Sequence, residues 1–131
     1  MTARLIVIGG FAGAGKSTLA RSLGRALGLP FYELDLVGRA IAASKYFKGE
    51  NAQAVAYDLF WVYARNQLEN GCSLIFDQNM GQVWQWTKIK EICDSIAGVE
   101  QLTFILDCPY DICVERQRSR QSFGGRRSEL E

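Results

Sequence analysis

The run Gly10-Phe11-Ala12-Gly13-Ala14-Gly15-Lys16-Ser17 follows a short β-branched segment, RLIVIGG, and opens an amphipathic one, KSTLARSLGRALGL. That order of strand, glycine-rich loop and helix constrains the folds open to this chain more than any other feature. Glycine accepts positive φ, so Gly10, Gly13 and Gly15 let the backbone curl with its N–H groups turned inward. The helix that begins where the loop ends aims its N-terminal dipole at the same point. Together they make a cradle for a phosphate. In this pattern Lys16 reaches the outer phosphates and the Ser17 hydroxyl ligates Mg²⁺. Thr18 either faces the phosphates as well or only helps start the helix.

The rest of the chain reads as alternating strands and helices. RLIVIGG is a buried strand. Leu19, Leu23 and Leu27 recur at a spacing of four along the first helix, which Gly28 and Pro30 end. FYEL is a second strand closing at Asp35, and DLVGRAIAASKYF a second helix broken by Gly49. Asn51 caps a third helix, AQAVAYDLFWVYARNQLE, whose stripe is Ala52, Val55, Ala56, Leu59, Val62 and Tyr63. CSLIF is a third strand stopping at Asp77. GQVWQWTKIKEICDSIAG is helical through Val83, Trp86, Ile89, Ile92, Cys93 and Ile96. EQLTFILD is a fourth strand ending at Asp107, and Pro109 and Asp111 start a last helix, ICVERQRSR. QSFGGRRSELE reads as loop. Such alternation implies an α/β fold, a parallel sheet between helices, in one domain over 1–131.

Composition removes several function classes. The 131 residues contain no histidine, which excludes Ser-His-Asp and Cys-His hydrolases and leaves Asp, Glu, Lys, Tyr or Cys as any general base. Cys72, Cys93, Cys108 and Cys113 form no CxxC pair, so they read as reduced thiols rather than zinc ligands. No apolar run approaches the roughly 20 residues of a membrane helix, and no leader is evident, so a cytoplasmic site is the default expectation. Five of the 15 basic residues are arginines after position 115, which favours an anionic ligand near that end.

With these pieces in place the chain resembles the small P-loop kinases. That group includes gluconate kinase, polynucleotide kinase, chloramphenicol phosphotransferase and zeta toxins with their AAA-type ATP-binding domain. The resemblance runs from residue 4 to about 120 and is carried by the phosphate loop, by YELDLVGR, by LIFDQN and by FILDCPYDICVERQRSR. It implies a three-layer α/β/α P-loop NTPase fold with strand order 2-3-1-4. Residues 10–18 would hold ATP, with Ser17 and Asp77 on Mg²⁺. Asp35 would accept the proton of an acceptor hydroxyl, where the bland alternative is a helix cap. Asp77 occupies the Walker B position, where the alternative is a strand-end turn. Arg39 stands one residue beyond the usual D-x-x-R spacing for an acceptor-binding arginine, and Gln78 and Asn79 echo a substrate-contacting Asp-x-x-Asn. Arg116 would lie over the adenine and Arg120 on the transferring phosphate, at the start of a lid near residue 116 that continues through Arg126 and Arg127.

These implications make the chain an ATP-dependent kinase acting on a small polar metabolite. A nucleic-acid 5′ end is the less favoured acceptor, because no basic stripe with interleaved aromatics is present. The alternative is a nucleotide-binding module or slow ATPase. Trp84 and Trp86 either stack on substrate or fill the core. A fifth strand and last helix, usual in the group, have no counterpart after Arg120. A truncated chain is therefore expected, with an exposed sheet edge that favours a homodimer.

Overall fold

The computed structural model describes residues 2–122, with the side chains of 120–122 outside that description. The elements are β1 (Ala3–Gly10), α1 (Lys16–Leu27), β2 (Phe31–Tyr32), α2 (Leu34–Ala43), α3 (Ala52–Glu69), β3 (Leu74–Asp77), α4 (Val83–Ser95), β4 (Val99–Leu106) and α5 (Tyr110–Ser122). The strands form one parallel sheet in the order β2-β3-β1-β4. The expected α/β fold and strand order are both present.

Alternation along β1 sets the layers. Leu5 and Val7 point to one face and pack with Phe60, Ala64, Leu74, Phe76 and Ile89 beneath α3 and α4. Ile6 and Ile8 point to the other, against Ala20, Leu19 and Leu23 of α1. A strand buried on both faces has no polar alternation, which is why the run after the exposed Arg4, Leu5 to Gly10, is continuously apolar. Among the described residues no helix is long and apolar enough to cross a membrane.

Several local readings change. The second strand is Phe31–Tyr32 alone, because Leu34 turns into the core at 4% exposure and Glu33 already stands at the N-cap of α2. α2 stops at Ala43 rather than near Gly49. There Ser44 adopts an extended ψ of 133° and its hydroxyl accepts from the Tyr46 N–H at 3.2 Å, a local bond that competes with helix continuation. α3 keeps its expected bounds, with Asn51 Oδ1 accepting from the Ala54 N–H at 3.0 Å, and Ala56 and Tyr63 of the expected stripe do meet the core, but the rest of the buried face is shifted. Its inward residues are Ala56, Phe60, Ala64 and Leu68, whereas Leu59 and Val62 are exposed.

Candidate active site

The loop between β1 and α1 takes the conformation its glycines permit. Gly13 and Gly15 have φ of 88° and 98°, the left-handed region that side chains avoid. At Gly13 space is closed as well, since a Cβ there would collide with the Cys113 carbonyl of α5. Gly15 is the N-cap of α1, so the free N–H groups of the first helical turn open onto the loop. Lys16 is 6% exposed and its ammonium donates to the Gly10 carbonyl at 2.9 Å, which holds the charge at the loop's mouth. Ala12 is buried, while Phe11 and Thr18 are exposed.

β3 lies beside β1 and carries Asp77 to the same place, paired in register with Ile8. The Ser17 hydroxyl donates to Asp77 Oδ2 at 3.4 Å. A hydroxyl and a carboxylate side by side suit Mg²⁺, which takes one or two protein oxygens and completes its shell with water and substrate phosphates. Among the described residues no group of three or more His, Cys, Asp or Glu gathers as a self-sufficient metal cage. The donors therefore fit a metal that arrives with its nucleotide.

Burial pushes the Asp77 carboxyl up from an ordinary 3.8 to about 6, against the opposing pull of the Lys16 ammonium. Between those values the folded chain keeps a proton that the unfolded chain releases. Stability then falls as pH rises from about 4 to about 6 and stays low above that. Asp77→Asn removes this cost. In buffer without divalent cation or nucleotide it should raise stability at pH 8 by about 1–2 kcal/mol, within the ceiling of about 3 that a two-unit shift allows. The gain should vanish below pH 4 and accompany loss of Mg-dependent nucleotide binding. Melting curves across pH check it, and a variant no more stable at pH 8 than at pH 4, each relative to the parent, would contradict it.

A cleft of about 360 Å³ continues from Lys16 and Asp77. Asp35 lines it from the first turn of α2, where Glu33 holds the cap position, so Asp35 is not the N-cap residue. Asn79 and Trp84 also line it. Leu34, Gln53, Tyr57, Gln78, Gln82 and Gln85 complete the wall. Of these the sequence singled out only Gln78. The Tyr57 hydroxyl donates to Gln78 Oε1 at 3.0 Å, and Gln85 Nε2 donates to the same oxygen at 3.3 Å. Gln85 Oε1 accepts from the Gln82 N–H at 2.9 Å in a capping box that starts α4. The Gln85 amide ties the start of α4 to Gln78, just past β3, and to Tyr57 of α3, so the wall is braced.

Met80 has a φ of 61°, unusual for a side chain of its size, and packs over Gly9, where a Cβ would strike it. Its carbonyl accepts from the Trp86 indole N–H at 2.9 Å. Trp86 is thus committed to the loop after β3, while Trp84 faces the cleft.

Other expected residues lie apart. Arg39 is exposed, its Nε donates to the Asp35 backbone carbonyl at 3.4 Å, and it is not among the cleft-lining residues. Arg116 donates to the Gly13 carbonyl at 3.2 Å, so α5 reaches back onto the phosphate loop. Arg120 belongs to α5, but its side chain lies outside the described residues, as do Arg126 and Arg127.

A family model described as an AAA domain matches residues 5–131. Among solved structures, a protein described as a candidate kinase from Chloroflexus aurantiacus J-10-fl superposes with a TM-score of 0.83 at 24% identity, over 95% of this chain and 69% of its own. A chain of the Pnkp1/Rnl/Hen1 RNA repair complex superposes with a TM-score of 0.80 at 17% identity, over 98% of this chain but 40% of its own. A gluconokinase from Sinorhizobium meliloti 1021 gives a TM-score of 0.56 at 17% identity, over 92% and 66% of the two chains. The chain thus spans well under half of the RNA repair protein and about two thirds of the other two. At these identities the likeness establishes the fold. No curated protein matches the chain.

Proposed function

The chain belongs to the AAA domain family, and from that premise we propose that it is an ATP-dependent phosphotransferase acting on an alcohol hydroxyl. One observation carries the reading. The cleft that begins at Lys16 and Asp77 has a further carboxylate, Asp35, in its wall. A pure nucleotide-binding or hydrolytic site has no need of a walled space with its own carboxylate beside the phosphate loop.

In this reading the loop amides and Lys16 hold the nucleotide's phosphates. Ser17 and Asp77 would hold Mg²⁺, which would supply positive charge to offset that of the phosphates. The acceptor lies in the cleft with its hydroxyl toward Asp35. As that oxygen forms its bond to the γ-phosphorus and the bond to ADP breaks, the hydroxyl proton passes to Asp35. Arg116, already on the Gly13 carbonyl, adds positive charge beside the loop.

The test is Mg-ATP consumption against sugars, sugar acids, nucleosides, antibiotics and 5′-hydroxyl oligonucleotides, with Lys16→Ala as the blank. Acceptor-dependent turnover is expected. Asp35→Asn should lower its kcat by about 10²–10⁴-fold while ATP affinity stays within about threefold. Turnover that is indifferent to acceptor and to Asp35 would replace this reading with a slow ATPase or nucleotide-binding module.

A further inference from the structure

Two thiols flank the start of α5 and take no part in phosphotransfer, yet both meet the phosphate loop. Cys108 lies between β4 and α5 and is partly exposed, while Cys113 lies in the first turn of α5 and is fully buried. The Cys113 thiol donates to the Cys108 carbonyl at 3.7 Å, a weak bond that sets the two residues side by side. Burial, and next the adjacent Cys108 thiol, push the Cys113 thiol up, so it keeps its proton at neutral pH. Cys72 and Cys93 stand on other parts of the fold, ahead of β3 and on α4.

Arg116 joins the pair to the loop. Its Nη1 donates to the Gly13 carbonyl at 3.2 Å and also to Cys108 Sγ at 3.9 Å. The Cys113 carbonyl presses on Gly13 from α5 and leaves no room there for a Cβ. The Phe11 and Tyr110 rings, 5.4 Å apart between centroids, add a third contact between loop and helix. Both cysteines therefore reach the same loop residue, one through a shared arginine and one through its own backbone. An interior packed this closely passes a local displacement on to its neighbours.

We propose that Cys108 and Cys113 are a peroxide-oxidisable pair whose closure to a disulfide loosens the phosphate loop. The partly exposed Cys108 meets the oxidant, hydrogen peroxide. Its sulfur bonds to one peroxide oxygen as the O–O bond breaks, and the thiol proton leaves with the other oxygen as water, giving a sulfenic acid. Arg116 stands beside that sulfur, where a guanidinium can pair with the ionised sulfenate. Cys113 Sγ then bonds to Cys108 Sγ, the S–O bond breaks, and the Cys113 proton leaves with that oxygen as a second water. One peroxide is reduced and the two thiols are oxidised to one disulfide. Drawing the sulfurs together displaces the first turn of α5, so Arg116 and the Cys113 carbonyl shift against Gly13. The effect on nucleotide rests on the phosphotransferase reading above, whereas the bond and the loop's response do not.

The experiment treats the whole reduced chain with hydrogen peroxide and reads peptide masses, hydrogen exchange of the amides of residues 10–17, and affinity for Mg-ATP. A link between Cys108 and Cys113 is expected, lighter by about 2 Da than the reduced peptide and opened by dithiothreitol. With it the loop amides should exchange faster, and the Kd for Mg-ATP should rise about tenfold, the loss expected when one charge-assisted hydrogen bond goes. Cys108→Ser and Cys113→Ala should each abolish the link and, under peroxide, keep the exchange and affinity of their untreated forms. Cys72→Ser, which removes the exposed thiol, should respond as the parent does. Peroxide that only adds oxygen, or that links other cysteines or two copies, would overturn the proposal. So would a link between Cys108 and Cys113 that leaves loop exchange or affinity unchanged. If the reduced protein binds no nucleotide, the phosphotransfer reading falls, and masses and exchange alone decide the fate of the pair.

Discussion

Lys16→Ala is expected to reduce nucleotide turnover by at least 10²–10³-fold, the loss seen when one preorganised charge-stabilising donor leaves an active site. Two effects act together. The first is direct: the ammonium at the loop's mouth no longer offsets charge on the transferring phosphate. The second runs through Asp77. Lys16 is the main influence that draws the buried Asp77 carboxyl downward, and even with it that group stands at about 6. Without Lys16 the carboxyl should rise further, so that near neutral pH a growing share of the protein carries a protonated Asp77 that holds Mg²⁺ poorly. The residual activity of the variant should therefore climb as pH rises from 7 to 9, on a limb shifted to higher pH than in the parent. Rates measured across that range at magnesium well below saturation, where the proton and the metal compete for Asp77, decide it. A variant within about threefold of the parent rate would place the reacting phosphate somewhere other than this loop.

The parts of the site that sequence disclosed are those in which one residue type does one local job. Gly13 must be glycine because its φ is positive and a Cβ would enter α5, and a pattern of glycines ahead of a lysine shows that need directly. Asp77 ends a run of apolar residues, a visible break. The brace formed by Tyr57, Gln78 and Gln85 left no such trace. Its members are separated by up to 28 positions and meet only after α3 and α4 pack on β3. Gln85 is polar yet 3% exposed, because the capping box and the brace satisfy its amide, while Val83 on the same helix is apolar and 82% exposed. Apolar periodicity misassigns both. Arg39 shows the limit of motif spacing: one residue beyond the usual position on a helix is a rotation of about 100°, enough to leave a side chain outside the cleft.

The same difficulty at α3 leads to the largest stability effect expected in the chain. Reading large apolar residues places Leu59 and Val62 in the core. The structure leaves them 48% and 72% exposed and buries Phe60 completely. Ala56 and Ala64, one turn to either side, carry so little side chain that α3 can approach the sheet closely, and Phe60 fills the space between. Its ring stacks on Phe76 of β3 with centroids 3.7 Å apart and meets Tyr32 and Trp61 at 5.1 Å and 4.7 Å. Tyr32 in turn donates to the Ala56 carbonyl at 2.8 Å, so strand, helix and ring cluster are fastened at one point. Phe60→Ala should cost about 3–5 kcal/mol, the range for a buried aromatic whose site cannot collapse. For a domain whose total stability is about 5–15 kcal/mol, that is a fifth or more of it. Leu59→Ala and Val62→Ala should each cost well under about 1 kcal/mol. Urea midpoints for the three variants separate the two registers, and a larger loss at Val62 than at Phe60 would mean that α3 packs on the sheet by its other face. Function should follow the same order. Phe76 adjoins Asp77 along β3, and Tyr57 lies three residues before Phe60 on α3. Loosening this contact should therefore raise KM for the acceptor in a Phe60 variant that remains folded, whereas the two exposed substitutions should leave it unchanged.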